Sequence, residues 1–279
     1  MTPETPTSDV CPSEFFRVNP ALLRRLPAVG KRRSKLKAKI GVRLSPKLDL
    51  LVLLALFSQA ARQPKSELTI APPSGDQMAA VAFSLKRSAV LTDLGYTRSG
   101  PDFSASAWAT LNESLTRLAT TRVQIRFMRR VVGAKGLEPA IFSRPLVEFV
   151  EGDRSRVQLY AYSPPGDRYF VLMPRRLLAL RPALSEGAVR LLCWLYTRHR
   201  GARKDGKLKH NWRVTVTAEQ LVEAKFLSSS KLRRAVELKR VRDGFANLER
   251  LGLLSIAGES WPFSVQLSPN FFHQEDIGD

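Results

Sequence analysis

Only two cysteines, Cys11 and Cys193, occur in 279 residues. That is too few for a disulfide scaffold and fits a reducing compartment. Histidine is as scarce: His199, His210 and His273 stand far apart, and none has a cysteine at metal-ligand spacing, so no metal and no cofactor is expected. Acid is short as well, with 25 Asp and Glu against 45 Lys and Arg. The acids are scattered among basic residues, which leaves no paired carboxylates for acid-base or metal chemistry. The longest apolar run, "LDLLVLLALF" (Leu48 to Phe57), is half of the ~20 residues that a membrane-spanning helix needs, and it contains Asp49. It reads as a buried helix. The first residues, "MTPETPTSDVCPSEFF", carry acids and prolines where a secretion signal would have a basic region and an apolar core. The cytoplasm is therefore the expected location, with no membrane partner.

What is abundant is positive charge. The formal net charge of +20 favours a polyanionic partner, nucleic acid first and an anionic membrane surface second. A hydrophobic content of 44% over this length is enough for two domains with cores of their own. Residues 1–43 are rich in Pro, Ser, Thr and basic residues, including the acid-free "KRRSKLKAK", and lack a sustained apolar period. They are expected to form a flexible basic arm that holds DNA phosphates without regard to sequence, or else a solubilising tail.

Past the arm, helix and strand signals come twice in one order. Ser45 and Pro46 give an N-cap and a first-turn proline for "KLDLLVLLALFSQAARQ"; "AAVAF" reads as a strand; Ser84 caps "LKRSAVLTDL", which Gly95 ends; and "SASAWATLNESLTRLA" is a long helix before the strand-like "VQIRF". In the second half Ser185 caps "EGAVRLLCWLYTRHR", "WRVTV" is a strand, Thr217 and Gln220 make a capping box for "AEQLVEAKF", and "SKLRRAVELKRVRDGFANLER" runs to Gly252 and the strand "LLSI". Trp108, Leu111, Leu115 and Leu118 form one apolar stripe, and Leu238, Val241, Phe245 and Leu248 repeat it 130 residues later. Helix, strand, helix, loop, long helix and hairpin is the order of a winged helix, whose last two helices form a helix-turn-helix. The expected fold is α+β: two winged-helix domains in tandem behind the arm, 1–43, 44–176 and 177–279. "PLVEFVEG", "RVQLYAY" and "RYFVLM" are expected to complete the first wing and extend its sheet.

The long helix of each domain is the candidate recognition element. Lys225 to Arg242 holds seven basic residues against one acid, Glu237. Lys231, Arg233, Arg234, Lys239 and Arg240 are candidate DNA contacts; a charge run on a helix also serves as a merely solvated face. In the first domain the candidates are Arg98 in the loop "YTRSGPD", Ser104 at the start of the long helix, and Ser106, Thr110 and Arg117 opposite the apolar stripe, with Glu113 on the same face able to accept from a cytosine amine. "GARKDGKL" (Gly201 to Leu208) imitates a phosphate-binding loop, but Leu208 replaces the magnesium-binding hydroxyl and the segment follows a helix, so a basic loop near DNA is the better reading. Trp261 and Pro262 fall at the expected tip of the second wing, where an aromatic reaches a minor-groove sugar or packs under the hairpin. The five tyrosines have no His-apolar-His companion, which argues against a DNA-nicking enzyme; no catalysis is expected.

"LDLLVLLALFSQAARQ", "VAFSLKRSAVLTDLGYTRSG" and "LNESLTRLATTRVQI" resemble the first winged helix of iteron-binding plasmid replication initiators of the broad-host-range type. The likeness covers residues 45 to 127; from 183 to 272 it is mainly the architecture that matches. It implies a bacterial, DNA-associated protein that binds direct repeats at an origin, opens the strands and recruits host initiator, helicase and clamp. It also implies control through a homodimer-to-monomer change, and no catalytic residues. A tandem winged-helix transcriptional repressor is the alternative.

Overall fold

The computed structural model describes residues 15–18, 23, 44–71, 79–130, 137–150, 153–160, 171–198, 200–204, 207–210, 213–224, 226–228, 231–258 and 263–268. It is an α+β structure in which every strand pairing is antiparallel.

The chain is first described at a strand, Phe15–Val18 (β1). Ser45 then opens the first helical segment. Its Oγ accepts from Leu48 N–H at 3.3 Å, and its own N–H donates to Asp49 Oδ2 at 2.6 Å. After a wide turn, Pro46–Leu50, helix α1 (Leu51–Arg62) is buried from Leu51 to Ala60, as a helix apolar on all sides must be. Next come β2 (Thr69–Ala71), β3 (Ala80–Ser84) and α2 (Arg87–Asp93). Ser84 does not cap α2, because it is the last residue of β3. Gln59 of α1 takes that part: its Oε1 accepts Lys86 N–H at 3.3 Å and its Nε2 donates to the Lys86 carbonyl at 2.7 Å.

A two-stranded turn, β4 (Arg98–Ser99) and β5 (Asp102–Phe103), leads into α3 (Ala105–Thr120), which Ser104 caps by accepting from Ala107 N–H. β6 (Val123–Arg130) and β7 (Leu137–Arg144) follow, then β8 (Val147–Val150) and β9 (Asp153–Tyr160). The first sheet runs β2-β3-β9-β8. The sequence suggests that "VQIRF" belongs to it. β6 instead pairs only with β7, in a hairpin eight residues deep inserted between α3 and the last two strands.

β10 (Val171–Pro174) is the second departure. It does not extend the wing but pairs with β1, Phe16 opposite Met173 and Val18 opposite Val171, all four buried, with β1 laid against α1. The expected flexible arm is therefore an ordered strand at residues 15–18; "KRRSKLKAK" lies outside the described residues. Replacing Val18 by Ala is expected to lower stability by about 2 kcal/mol, since two buried carbons are lost. Urea unfolding reads the change, whereas a free arm would show none.

The second unit begins after a connector helix, α4 (Arg176–Ala179). It contains α5 (Glu186–Arg198), β11 (Arg200–Lys204), β12 (Lys207–His210), β13 (Arg213–Val216), α6 (Ala218–Glu223), α7 (Lys231–Arg250), β14 (Leu254–Ala257) and β15 (Phe263–Leu267). Its sheet is ordered β13-β15-β14. Both units thus share helix, strand, helix, long helix, strand, strand, with the final strand in the middle, as β3-β9-β8 and as β13-β15-β14. The Thr217–Gln220 capping box is formed, Ser185 caps α5, and Gly252 ends α7 at φ +69°.

α5 is the helix on which the units meet. Ala188, Val189 and all residues from Leu191 to Tyr196 are buried, and the helix packs on α7 and on the turn Pro46–Leu50 of the first unit. It crosses α7 where glycines face each other. A Cβ on Gly244 would lie 3.1 Å from the carbonyl carbon of Gly187 and 3.3 Å from Ala188 N. The connector is clamped too. Buried Asp93 of α2 receives Arg62 from α1 and Arg175 from the connector, with Arg175 Nε 2.9 Å from Oδ1. Arg181 lies 3.8 Å over the Tyr96 ring and donates to the Leu94 carbonyl. Asn247 of α7 holds the start of α5 through Ser185 N–H and the Ala183 carbonyl.

Candidate nucleic-acid interface

α7 shows how one helix serves a core and a surface. Its inner line, Val241, Phe245 and Leu248, is buried, and Leu238 is half-buried. Ala235, Lys239, Arg242, Ala246 and Arg250 recur at spacings of four, three, four and four along the opposite face, and all five are exposed. Two alanines are interspersed there with three cations, so a duplex could approach the helix closely without losing contact to its phosphates. Lys239, Arg240, Arg242 and Arg250 form no ion pair among the described residues, although Asp243 and Glu249 are exposed on the same helix.

Among the residues singled out in the sequence, Lys239 and Arg240 are on the surface. Arg234 is not free in the same way. It continues the inner line at four residues before Leu238, is half-buried, and faces the start of α6. There Glu219 is held below the usual carboxylate range, chiefly by its own backbone N–H and the Thr217 hydroxyl, with Arg234 adding attraction. Lys231 and Arg233 lie in the first turn of α7, and their side chains fall outside the described residues. Arg242, part of the basic run but not among the candidate contacts, and Arg250, outside that run, share the exposed face with Lys239; their signal is the helical spacing from it.

The outer face of α3 differs in kind. Ala105, Ser106, Ala109, Asn112, Glu113, Thr116 and Thr120 are exposed, so the face is hydroxyl- and methyl-rich and carries a single charge. Thr110 is half-buried and donates to the Ser106 carbonyl, while Ser104 is engaged as the helix cap and lies 3.0 Å from the Ser106 hydroxyl. Arg98, at the turn before α3, is exposed and stands 5.5 Å over the Phe103 ring, which meets Trp108 edge-on.

Arg117 corrects the sequence reading. Its guanidinium reaches Asp49, whose side chain is fully buried, with Nη2 2.9 Å and Nε 3.0 Å from Oδ1; it also donates to Ser114 and, at 3.4 Å, to Glu113. These contacts, above all the hydrogen bonds to Asp49, hold the guanidinium even further above neutrality than usual. A buried carboxylate needs such a partner, and 68 residues of separation hide it from any periodicity. Arg117→Ala is expected to cost about 2 kcal/mol, less than for a fully buried pair because Arg117 is one-fifth exposed and Asp49 keeps the Ser45 N–H. Chemical denaturation measures it, and the salt dependence of DNA binding should not move.

Residues 201–204 and 207–208 of "GARKDGKL" lie in the antiparallel β11–β12 hairpin, Arg203 opposite Leu208 and Lys204 opposite Lys207, so a strand and not a helix begins at Lys207, where a phosphate-binding loop would open a helix. The hairpin springs from the end of α5, where Arg198 reaches Glu223 of α6 at 3.5 Å. Trp261, Pro262, Tyr162 and Tyr169 are outside the described residues. Of the other tyrosines, Tyr196 is buried and its phenol is pushed well up by that burial, Tyr160 donates to Glu148 at 2.7 Å, and Tyr96 lies under Arg181. Burial likewise raises the Cys193 thiol to about 12, which makes it unreactive in the folded protein.

Among the described residues no cluster of His, Cys, Asp and Glu is placed to hold a metal, and no helix is long and apolar enough to cross a membrane. The chain matches no known protein family, and neither characterised proteins nor solved structures gave a significant similarity.

Proposed function

We propose that the chain is a sequence-specific, double-stranded-DNA-binding replication initiator of a plasmid, built from two winged helices in tandem. The observation that carries this reading is the repeated topology, a long helix ahead of the last two strands in both units, combined with the cationic outer face of α7. In a helix-turn-helix the second helix enters the major groove, which makes α3 and α7 the reading helices. α7 supplies most of the attraction to phosphate. α3, with hydroxyls and methyls and little charge, supplies discrimination through close approach to base edges. The DNA is the set of direct repeats at an origin, and host initiator, helicase and clamp are recruited there; this part rests on the resemblance to iteron-binding initiators. The protein acts by binding, without a catalytic step. Among the described tyrosines, Tyr96 lies under Arg181, Tyr160 is hydrogen-bonded to Glu148 and Tyr196 is buried.

The test is to place the gene and its adjacent DNA on a plasmid that has no other origin. Maintenance of that plasmid, lost when Lys239, Arg242 and Arg250 are replaced by Ala, supports initiation. If the plasmid is lost with the intact gene while the protein still binds an inverted repeat over its own promoter, the chain is a repressor.

A further inference from the structure

Val236 is 57% exposed, more than Ile70 or Ile141, the other large apolar side chains exposed among the described residues. It lies in the N-terminal half of α7, the part of a reading helix that meets base edges. Fold stability gives no reason for it, since a β-branched residue on an open helix surface is a poorer helix former than Ala. Its neighbours are particular. Lys239 and Arg240 follow three and four residues on, which places two exposed cations one turn along the helix on either side of it, and Ala235 beside it leaves room for close approach. The arrangement is an apolar tip bracketed by phosphate-seeking groups. A major groove offers one apolar feature to such a tip, the C5-methyl group of thymine.

We propose that Val236 is a specificity-determining residue that reads a thymine methyl in the major groove, while Lys239 and Arg240 hold the flanking phosphates. The inference rests on the proposed binding of DNA by α7 and adds to it the base recognised and the group that recognises it. Loss of the methyl alone, with every hydrogen bond of the base pair kept, is its signature.

Duplexes bound by the full-length protein are selected from a random pool, and each thymine of the selected site is replaced in turn by deoxyuridine. Affinities are measured for the wild type, Val236→Ala and Lys239→Ala. One deoxyuridine position is expected to weaken wild-type binding about three- to tenfold, the worth of a buried methyl, and to leave Val236→Ala unaffected. Val236→Ala should bind the thymine site as the wild type binds the deoxyuridine site, with an unchanged or higher melting temperature. If no deoxyuridine weakens the wild type, or one weakens Val236→Ala equally, Val236 does not read the methyl; α7 remains the interface provided Lys239→Ala loses affinity. If Lys239→Ala binds as the wild type at every salt concentration, Lys239 holds no flanking phosphate and this inference fails; if Arg242→Ala and Arg250→Ala do so too, the DNA-binding role of α7 fails with it.

Discussion

Phe245→Ala is expected to destabilise the protein by about 3 to 5 kcal/mol without altering its contacts to DNA. Phe245 is fully buried on the inner line of α7, between Val241 and Leu248, at the layer where Gly244 lets the helix approach α5. The glycine contact fixes the distance between the two backbones, so the surroundings cannot close over the space that the ring leaves. The loss should therefore fall in the upper part of the range for Phe-to-Ala changes. Urea unfolding gives the stability, and DNA binding measured well below the melting temperature should be close to that of the wild type, because the outer face of α7 is untouched. Equal losses of stability and of affinity in the folded protein would mean that the two faces are not separate.

The second large effect is expected at the junction. Gly95 ends α2 at φ +72°, and a Cβ there would stand 2.6 Å from the carbonyl oxygen of Ala179 in the connector. Gly95→Ala meets two penalties at once, about 1 to 2 kcal/mol for the left-handed backbone and a further 1 to 3 kcal/mol for pushing α2 from the connector. A total near 3 kcal/mol is expected. The neighbouring contacts share the strain, since Asp93 with Arg175 and the Leu94 carbonyl with Arg181 join the same two segments. A fall in melting temperature accompanied by easier proteolysis between residues 175 and 184 would locate the damage. An unchanged melting temperature would show that the connector yields freely.

Local signals in the sequence located most of the helices. Ser45 with Pro46, Ser185 and the Thr217–Gln220 box act within one turn, so the sequence displays both partners of each hydrogen bond. The offset of 130 residues carries over to burial, with Trp108 and Leu238 half-buried and Leu111, Leu115 and Leu118 buried like Val241, Phe245 and Leu248. Strand partners were not legible. "VQIRF" alternates equally well whether it joins a sheet or, as found, pairs with Leu137–Arg144 alone, because a period of two says nothing about the neighbour. Four residues, "FFRV", in a polar and proline-rich stretch gave no hint of a partner strand more than 150 residues away. The candidate site follows the same division. The exposed face of α7 is periodic and could be read, whereas Arg117 is drawn inward by the distant Asp49 and Arg234 continues the half-buried inner line of its helix.

The central claim is that the outer face of α7 is a DNA interface. Its most direct measurement is the salt dependence of duplex binding by the full-length protein and by Lys239→Ala, Arg242→Ala and Arg250→Ala. Each replacement that removes a phosphate contact is expected to weaken binding to specific and random duplexes by similar factors and to reduce the slope of log K against log salt by about one. None should change the unfolding free energy by more than about 0.5 kcal/mol, since these side chains are exposed and form no ion pair among the described residues. Slopes and affinities identical to the wild type in all three variants would contradict the claim and leave the charged face of α7 as a solvated surface.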